Sequence, residues 1–192
     1  MRAINIMEED WDVLIVLDAC RFDFFKQLYK RFFDGVLDKV ISSGSTTLEW
    51  IMNSFRGYYS DVVYFSANPY INSKYEVRVR FPPFKWSAKE HFYEVVDVWY
   101  FGWDELLGTV PPWNMYKAVI DKLKYFHNKR LIIHFIQPHA PYLLYRNNDL
   151  VFDKPSPSSG RFLNGIKSVQ YDKYILGNFK KKIAELLRIS SS

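Results

Sequence analysis

Three polar stretches of this chain each stand directly behind an apolar run, and they hold the side chains able to do chemistry: Asp18, the turn at residues 42–47, and His139. Asp18 closes the run Val13-Leu14-Ile15-Val16-Leu17. A carboxylate at the lip of a buried strand is costly unless water or a cation neutralises it, so a hard-metal ligand is one chemistry it offers. The other reading is a structural partner for Arg21 or a cap for the next helix. Thr46 opens a helix. A hydroxyl there can attack phosphorus or sulfur if a metal lowers its pKa, while helix-start N–H groups receive the anion. Ordinary N-capping explains the same threonine, and Ser45 and Thr47 compete for the role. His139, held between Pro138 and Pro141, can donate to a substrate oxygen or ligate a metal. His134 reads as a satisfied core histidine, His91 and His127 as surface residues, and Cys20 as a packed thiol.

The elements that must position these groups alternate between strand and helix. Residues 13–17 and 131–136 are unbroken apolar runs rich in β-branched residues, as strands buried on both faces require. Between them the spacing predicts a helix from about 23 to 33 with Phe24, Phe25, Leu28, Phe32 and Phe33 on one face. A strand at 36–41 follows, then a helix from Thr46 or Thr47 to Phe55, helped by Glu49 near its positive end. Further strands are expected at 61–65 and 95–100, and a helix at 113–127 with Met115, Val119, Ile120 and Leu123 facing the core. Residues 146–161 are polar and rich in Pro and Ser, which predicts a mobile loop or lid, and 162–189 reads as a last long helix. This order predicts an α/β fold with a mostly parallel central sheet, in one domain spanning residues 1–192. Open sheets of that kind take ligands at the carboxyl ends of their strands, where Asp18, the 42–47 turn and His139 fall.

Composition narrows the function classes. Apolar residues make up 48% and aromatics 19% of 192 residues, which excludes a disordered or low-complexity chain. One cysteine excludes a disulfide framework and a Cys-rich zinc site. No apolar run approaches the roughly 20 residues of a membrane span. The first residues carry acids where a leader would carry an apolar stretch, so a cytoplasmic protein is expected. With 26 basic against 21 acidic residues the formal charge is +5, which suits an anionic partner. The charges are scattered, however, and Lys180-Lys181-Lys182 reads as a solvated helix face. KYEVRVRF at 74–81 reads as a half-exposed strand, and no nucleic-acid motif is present, so nucleic acid is not the expected partner.

Taken together, WDVLIVLDACRFD, GSTTLEW, SANPYIN and HFIQPHAPY resemble the alkaline phosphatase superfamily, specifically its sulfatase-like branch as found in archaeal proteins. The resemblance covers most of residues 11–145. It implies a three-layer α/β sandwich and a divalent metal (Zn, Mn, Mg or Ca) held by Asp18 at the end of the opening strand. It gives Arg21 and His139 the anionic group of the substrate and Thr46 the place of the nucleophile. The departures matter as well. Ala19 stands where sulfatases carry a second Asp, and the turn lacks the Cys-x-Pro-x-Arg pattern that matures to formylglycine. The later metal-binding strand of the family has no counterpart, so the domain is expected to be C-terminally shortened. The implied activity is hydrolysis of a small sulfate or phosphate ester or a sulfated or phosphorylated glycan. The alternative is a catalytically inactive relative that binds anions or assembles, as a homo-oligomer or with a completing partner chain.

Overall fold

The computed structural model describes residues 1–79, 83–146, 149–153 and 167–169. Strands β1 (Val13–Leu17), β2 (Tyr59–Ser66), β5 (Phe92–Asp97) and β6 (Arg130–Phe135) form one sheet in the order β1-β6-β2-β5, and every neighbouring pair is parallel. A pair of short strands, β3 (Val77–Val79) and β4 (Phe84–Trp86), is antiparallel beside it in sequence. Parallel neighbours need long crossovers, and the intervening helices supply them. These are α1 (Phe22–Leu28), α2 (Thr47–Ser54), the single turn α3 (Val98–Phe101) and α4 (Pro112–Leu123).

Alternation along the strands splits the core into two layers. Val63 and Phe65 of β2 with Leu131, Ile133 and Phe135 of β6 meet Met115, Ala118 and Val119 of α4 on one face. On the other, Val62, Tyr64 and Ile132 meet Ile51 of α2 together with Phe55, Trp86 and Phe92. The inner strands β2 and β6 are buried through most of their length, whereas edge strand β1 is only half buried. The α/β class with a mostly parallel sheet is therefore as the sequence predicts. Among the described residues no helix is long and apolar enough to cross a membrane.

Several expected elements are different. Residues 36–41 form no strand; Ile41 makes a single parallel bridge to Ala3, and Val36 is 93% exposed. β-branched residues favour a strand only where an edge is free to pair with them. Strand β5 ends at Asp97, because that carboxylate accepts hydrogen bonds from Ser73 N–H, Ser73 Oγ and Trp99 Nε1 and turns the chain into α3. The expected loop at 146–161 contains strand β8 (Asp149–Asp153), paired antiparallel with β7 (Tyr142–Arg146). Residues 167–169, expected in the last helix, pair with β8 as strand β9 (Lys167–Val169). An uncovered strand edge leaves backbone N–H and C=O groups to satisfy, and β9 takes those of β8. The rest of that loop and helix lies outside the described residues. Helix α1 buries none of its residues, so Phe24, Leu28, Phe32 and Phe33 remain an exposed apolar face.

Candidate functional site

Asp18 stands one residue beyond β1. Register pairs Leu17 with Phe135, and Asp18 N–H still donates to Phe135 O at 3.2 Å, so the ladder with β6 holds its backbone. Ala19 then takes a left-handed conformation with φ 59. That costs a residue with a Cβ about 1 kcal/mol. Such strain tends to persist where the surroundings fix a functional group.

The next group comes from the start of α2. Thr46 is its N-cap: Oγ1 accepts from Glu49 N–H at 3.2 Å. Glu49 reaches back, its Oε2 accepting from Ser45 N–H at 2.8 Å and Ser45 Oγ at 2.6 Å. This reciprocal arrangement resembles a capping box, and the Ser45 hydrogen bond, ahead of other causes, holds the Glu49 carboxyl below its usual range. Both the Ser45 and Thr46 hydroxyls thus have structural work. Thr47, one residue on, points elsewhere: its Oγ1 donates to Asp18 Oδ2 at 3.4 Å.

The loop behind β2 adds a donor. Asn68 Nδ2 donates to the same Asp18 Oδ2 at 3.0 Å, while Asn68 Oδ1 accepts from Tyr70 N–H, which fixes the amide's orientation. Ser66 Oγ bridges the backbone of Asn68 on both its N–H and C=O sides, so the amide stands on a braced turn.

From β6 comes His134, paired in register with Val16 on one side and Ser66 on the other. It is 1% exposed. Nδ1 lies 2.7 Å from Tyr64 Oη, and Trp50 packs edge-on against the ring with centroids 5.7 Å apart. Nε2 faces Asp18 Oδ2 at 3.8 Å and has no hydrogen-bond partner. Burial pushes the imidazole pKa down to about 4, against an opposing pull from the Asp18 carboxylate. At neutral pH the ring is uncharged, and at 3.8 Å the pair is neither an ion pair nor a hydrogen bond. Burial, and then the nearby Asp18 charge, raise the Tyr64 phenol well above its ordinary value, so it stays protonated.

These groups open onto one cleft of about 720 Å³, whose wall includes Asp18, Thr46, Thr47, Tyr70, His134 and His139. The structure therefore brings together Asp18, Thr46 and His139 of the sequence-predicted residues. His139 sits on the exposed rim, with Nδ1 2.9 Å from Ala140 O. Arg21 does not line the cleft; it pairs with Asp23 at 2.7 Å, with its side chain 71% exposed. Cys20 is at the lip, its thiol pushed up by burial and so held protonated.

Sequence reasoning placed Thr47 only as a competitor of Thr46, missed Asn68 and Tyr64 as site residues, and read His134 as a satisfied core residue. His134 is in the core, but only its Nδ1 is satisfied. The strand register was the signal: one polar residue within LIIHF, level with the end of β1, must face the last residues of that strand. No family model, curated protein or solved structure matches the chain.

Proposed function

We propose that the chain is a metal-dependent hydrolase of sulfate or phosphate esters, built on the three-layer pattern of the alkaline phosphatase superfamily and its sulfatase-like branch. The observation that carries this reading is the meeting of the Asp18 carboxylate with the Thr47 hydroxyl, 3.4 Å apart, in a cleft at the carboxyl ends of parallel strands. The donors suit a cation. Asp18 brings negative charge, and among the described residues no hydrogen bond reaches its Oδ1. The orphaned Nε2 of His134 adds a buried lone pair or N–H beside it. Among the described residues no three His, Cys, Asp or Glu side chains gather as a metal cluster, so water and substrate oxygens would complete the shell. A divalent cation held on Asp18, Zn, Mn, Mg or Ca, would supply Lewis-acid polarisation of the ester and a lowered pKa for the attacking hydroxyl.

In this reading Thr47, not Thr46, is the nucleophile, because Thr46 is engaged in capping α2. Thr47 would pass its hydroxyl proton to Asp18 Oδ2 as its oxygen bonds to sulfur or phosphorus, and the ester oxygen, its bond to that atom broken, would leave as the alcohol by taking the proton back from Asp18. Water would then bond to the same atom, giving one proton to Asp18, and Thr47 Oγ1 would leave with that proton, freeing the sulfate or phosphate. The first N–H groups of α2 and His139 on the rim receive the anion's oxygens. Arg21, paired with Asp23, has no part in it.

The test is hydrolysis of aryl sulfates and aryl phosphates by the full chain, stripped with chelator and reloaded with each metal. Thr47→Ala and Asp18→Asn each lower kcat/KM by at least about 100-fold. Thr46→Ala keeps turnover and loses about 1 kcal/mol of stability as a lost N-cap. Loss of turnover in Thr46→Ala with Thr47→Ala still active would return the role to Thr46. No hydrolysis with any metal would remove the hydrolase reading.

A second reading, an anion-binding or assembly module without turnover, is favoured by the exposed Phe24, Leu28 and Phe32 of the α1 region. Exposed apolar faces of this kind mark association surfaces. A concentration-independent monomer in light scattering would count against it.

A further inference from the structure

We infer that His134 is itself a metal ligand, its Nε2 sharing one cation with Asp18, and that Tyr64 is the positioning residue that fixes its ring. The inference rests on the metal reading above and narrows it: an imidazole beside a carboxylate selects Zn, Co or Mn over the all-oxygen ions Ca and Mg.

The argument begins with an unexplained atom. Buried side-chain nitrogens and oxygens are nearly always hydrogen-bonded, and each exception needs a reason. Among the buried side-chain nitrogens and oxygens of the described residues, only Trp86 Nε1, His134 Nε2 and Gln137 Oε1 lack a partner. Of the three residues, His134 is the one that lines the cleft, and its Nε2 lies beside a carboxylate. A buried nitrogen left without a partner is costly to the fold, and a strand position flanked by Val16 and Ser66 would accept an aliphatic residue instead.

Distance gives the second line. At 3.8 Å, Nε2 and Asp18 Oδ2 are too far apart for a hydrogen bond. Ligands to one first-row metal each stand about 2.0–2.2 Å from it. Two such ligands stand at most about 4.0–4.4 Å apart, and 3.8 Å falls within that reach.

The third line is the support behind the ring. Metal-binding histidines donate their other N–H to a fixed acceptor, which sets the tautomer and aims the lone pair. Tyr64 Oη stands 2.7 Å from Nδ1 and is fully buried. Either atom can donate in this hydrogen bond, and a cation between Nε2 and Asp18 selects the tautomer in which Nδ1–H donates to Tyr64 Oη and the Nε2 lone pair faces Asp18. Trp50, edge-on against the ring, removes its remaining freedom. Asn68 and Thr47 do the equivalent service for the carboxylate by holding its Oδ2.

The test is metal binding by the full chain, with no activity readout. Chelator-stripped wild type, Asp18→Asn, His134→Asn and Tyr64→Phe are titrated calorimetrically with Zn2+, Co2+, Mg2+ and Ca2+. The His134 ring nitrogens are followed in parallel by 15N NMR. Wild type is expected to bind Zn2+ and Co2+ more tightly than Mg2+ or Ca2+, with Nε2 as the shifted nitrogen. His134→Asn weakens Zn2+ binding by 100-fold or more, on the order expected for a lost direct ligand, and Tyr64→Phe by about 10–100-fold, as for a lost orienting partner. Tyr64→Phe keeps the ring and the core volume, so it answers the question even if His134→Asn folds poorly. If Asp18→Asn abolishes binding while His134→Asn and Tyr64→Phe bind as wild type and Nε2 does not shift, this inference falls and the metal at Asp18 stands. If wild type binds no metal, both fall together.

Discussion

Lowering the pH of the metal-free protein tests how deeply His134 is buried. In the unfolded chain its imidazole titrates near the ordinary value of 6.5, and in the fold burial holds it near 4. The unfolded state therefore takes up the proton first as pH falls, so stability drops from about pH 6.5 and the drop ends near pH 4. Above the upper limit both states are neutral and the group contributes nothing. At about 1.4 kcal/mol per pH unit the full span amounts to about 3 kcal/mol. Urea unfolding in chelator, followed from about pH 7 to about pH 4.5, should lose about 2 kcal/mol of this. With an m-value of about 2 kcal/mol/M, the midpoint falls by about 1 M. The paired carboxylates Glu9, Asp23, Glu49 and Asp61 all have lowered values, below 4.5 for the glutamates and 3.8 for the aspartates, so their losses come at lower pH. His134→Asn removes the imidazole and flattens the profile in this window. Superimposable wild-type and His134→Asn profiles between pH 6.5 and 4.5 would refute the assignment of a buried, neutral imidazole.

Two backbone positions around the cleft give further checks. At Gly44 a Cβ would run into the backbone of α2, against Trp50 N and 2.6 Å from Trp50 Cα, and neither atom can swing aside. Gly44→Ala should lower stability by about 1–3 kcal/mol in denaturant melts, with a change in Trp50 fluorescence. Ala19→Gly relieves the left-handed residue behind Asp18, which should add about 1 kcal/mol and raise Tm by about 2–4 °C in calorimetry.

How far these features were readable depended on whether the deciding interaction was local. The runs at 13–17 and 131–136 announce strands by composition alone, and the structure has strands there, though only the second is buried and the first is a half-buried edge strand. The start of α2 was legible for the same reason, since Thr46 Oγ1 accepts from Glu49 N–H three residues on and Glu49 reaches back to Ser45. Residues 36–41 look equally strand-like, yet strand formation needs a free edge, which no local pattern reveals. The end of β5 was set by Asp97 gripping Ser73, a contact from another loop. In the candidate site, Asp18 and His139 were legible as polar groups closing apolar runs. The choice between Thr46 and Thr47 was not: successive helix residues are turned about 100° from each other, and only the position of β1 relative to α2 says which hydroxyl meets Asp18. His134 was hidden because one polar residue in an apolar strand looks the same whether its second nitrogen is bonded or empty.

The order of strands in the sheet explains why this site is sensitive to the whole fold. Asp18 follows β1 and Asn68 follows β2, but these strands do not touch each other; β6 lies between them and is the last of the four in the chain. Until β6 is inserted, Asp18 has neither its backbone anchor on Phe135 nor His134 beside it, and Asn68 cannot reach across. The insertion buries Leu131, Ile132, Ile133 and Phe135 against both helical layers, and that apolar burial is what offsets drawing a carboxylate and an imidazole together out of water. The arrangement of Asp18, Asn68 and His134 is thus a consequence of closing the core. A cation binding between Asp18 and His134 would act on the same closure from the other side, stabilising the β1–β6 junction where edge strand β1 is least buried.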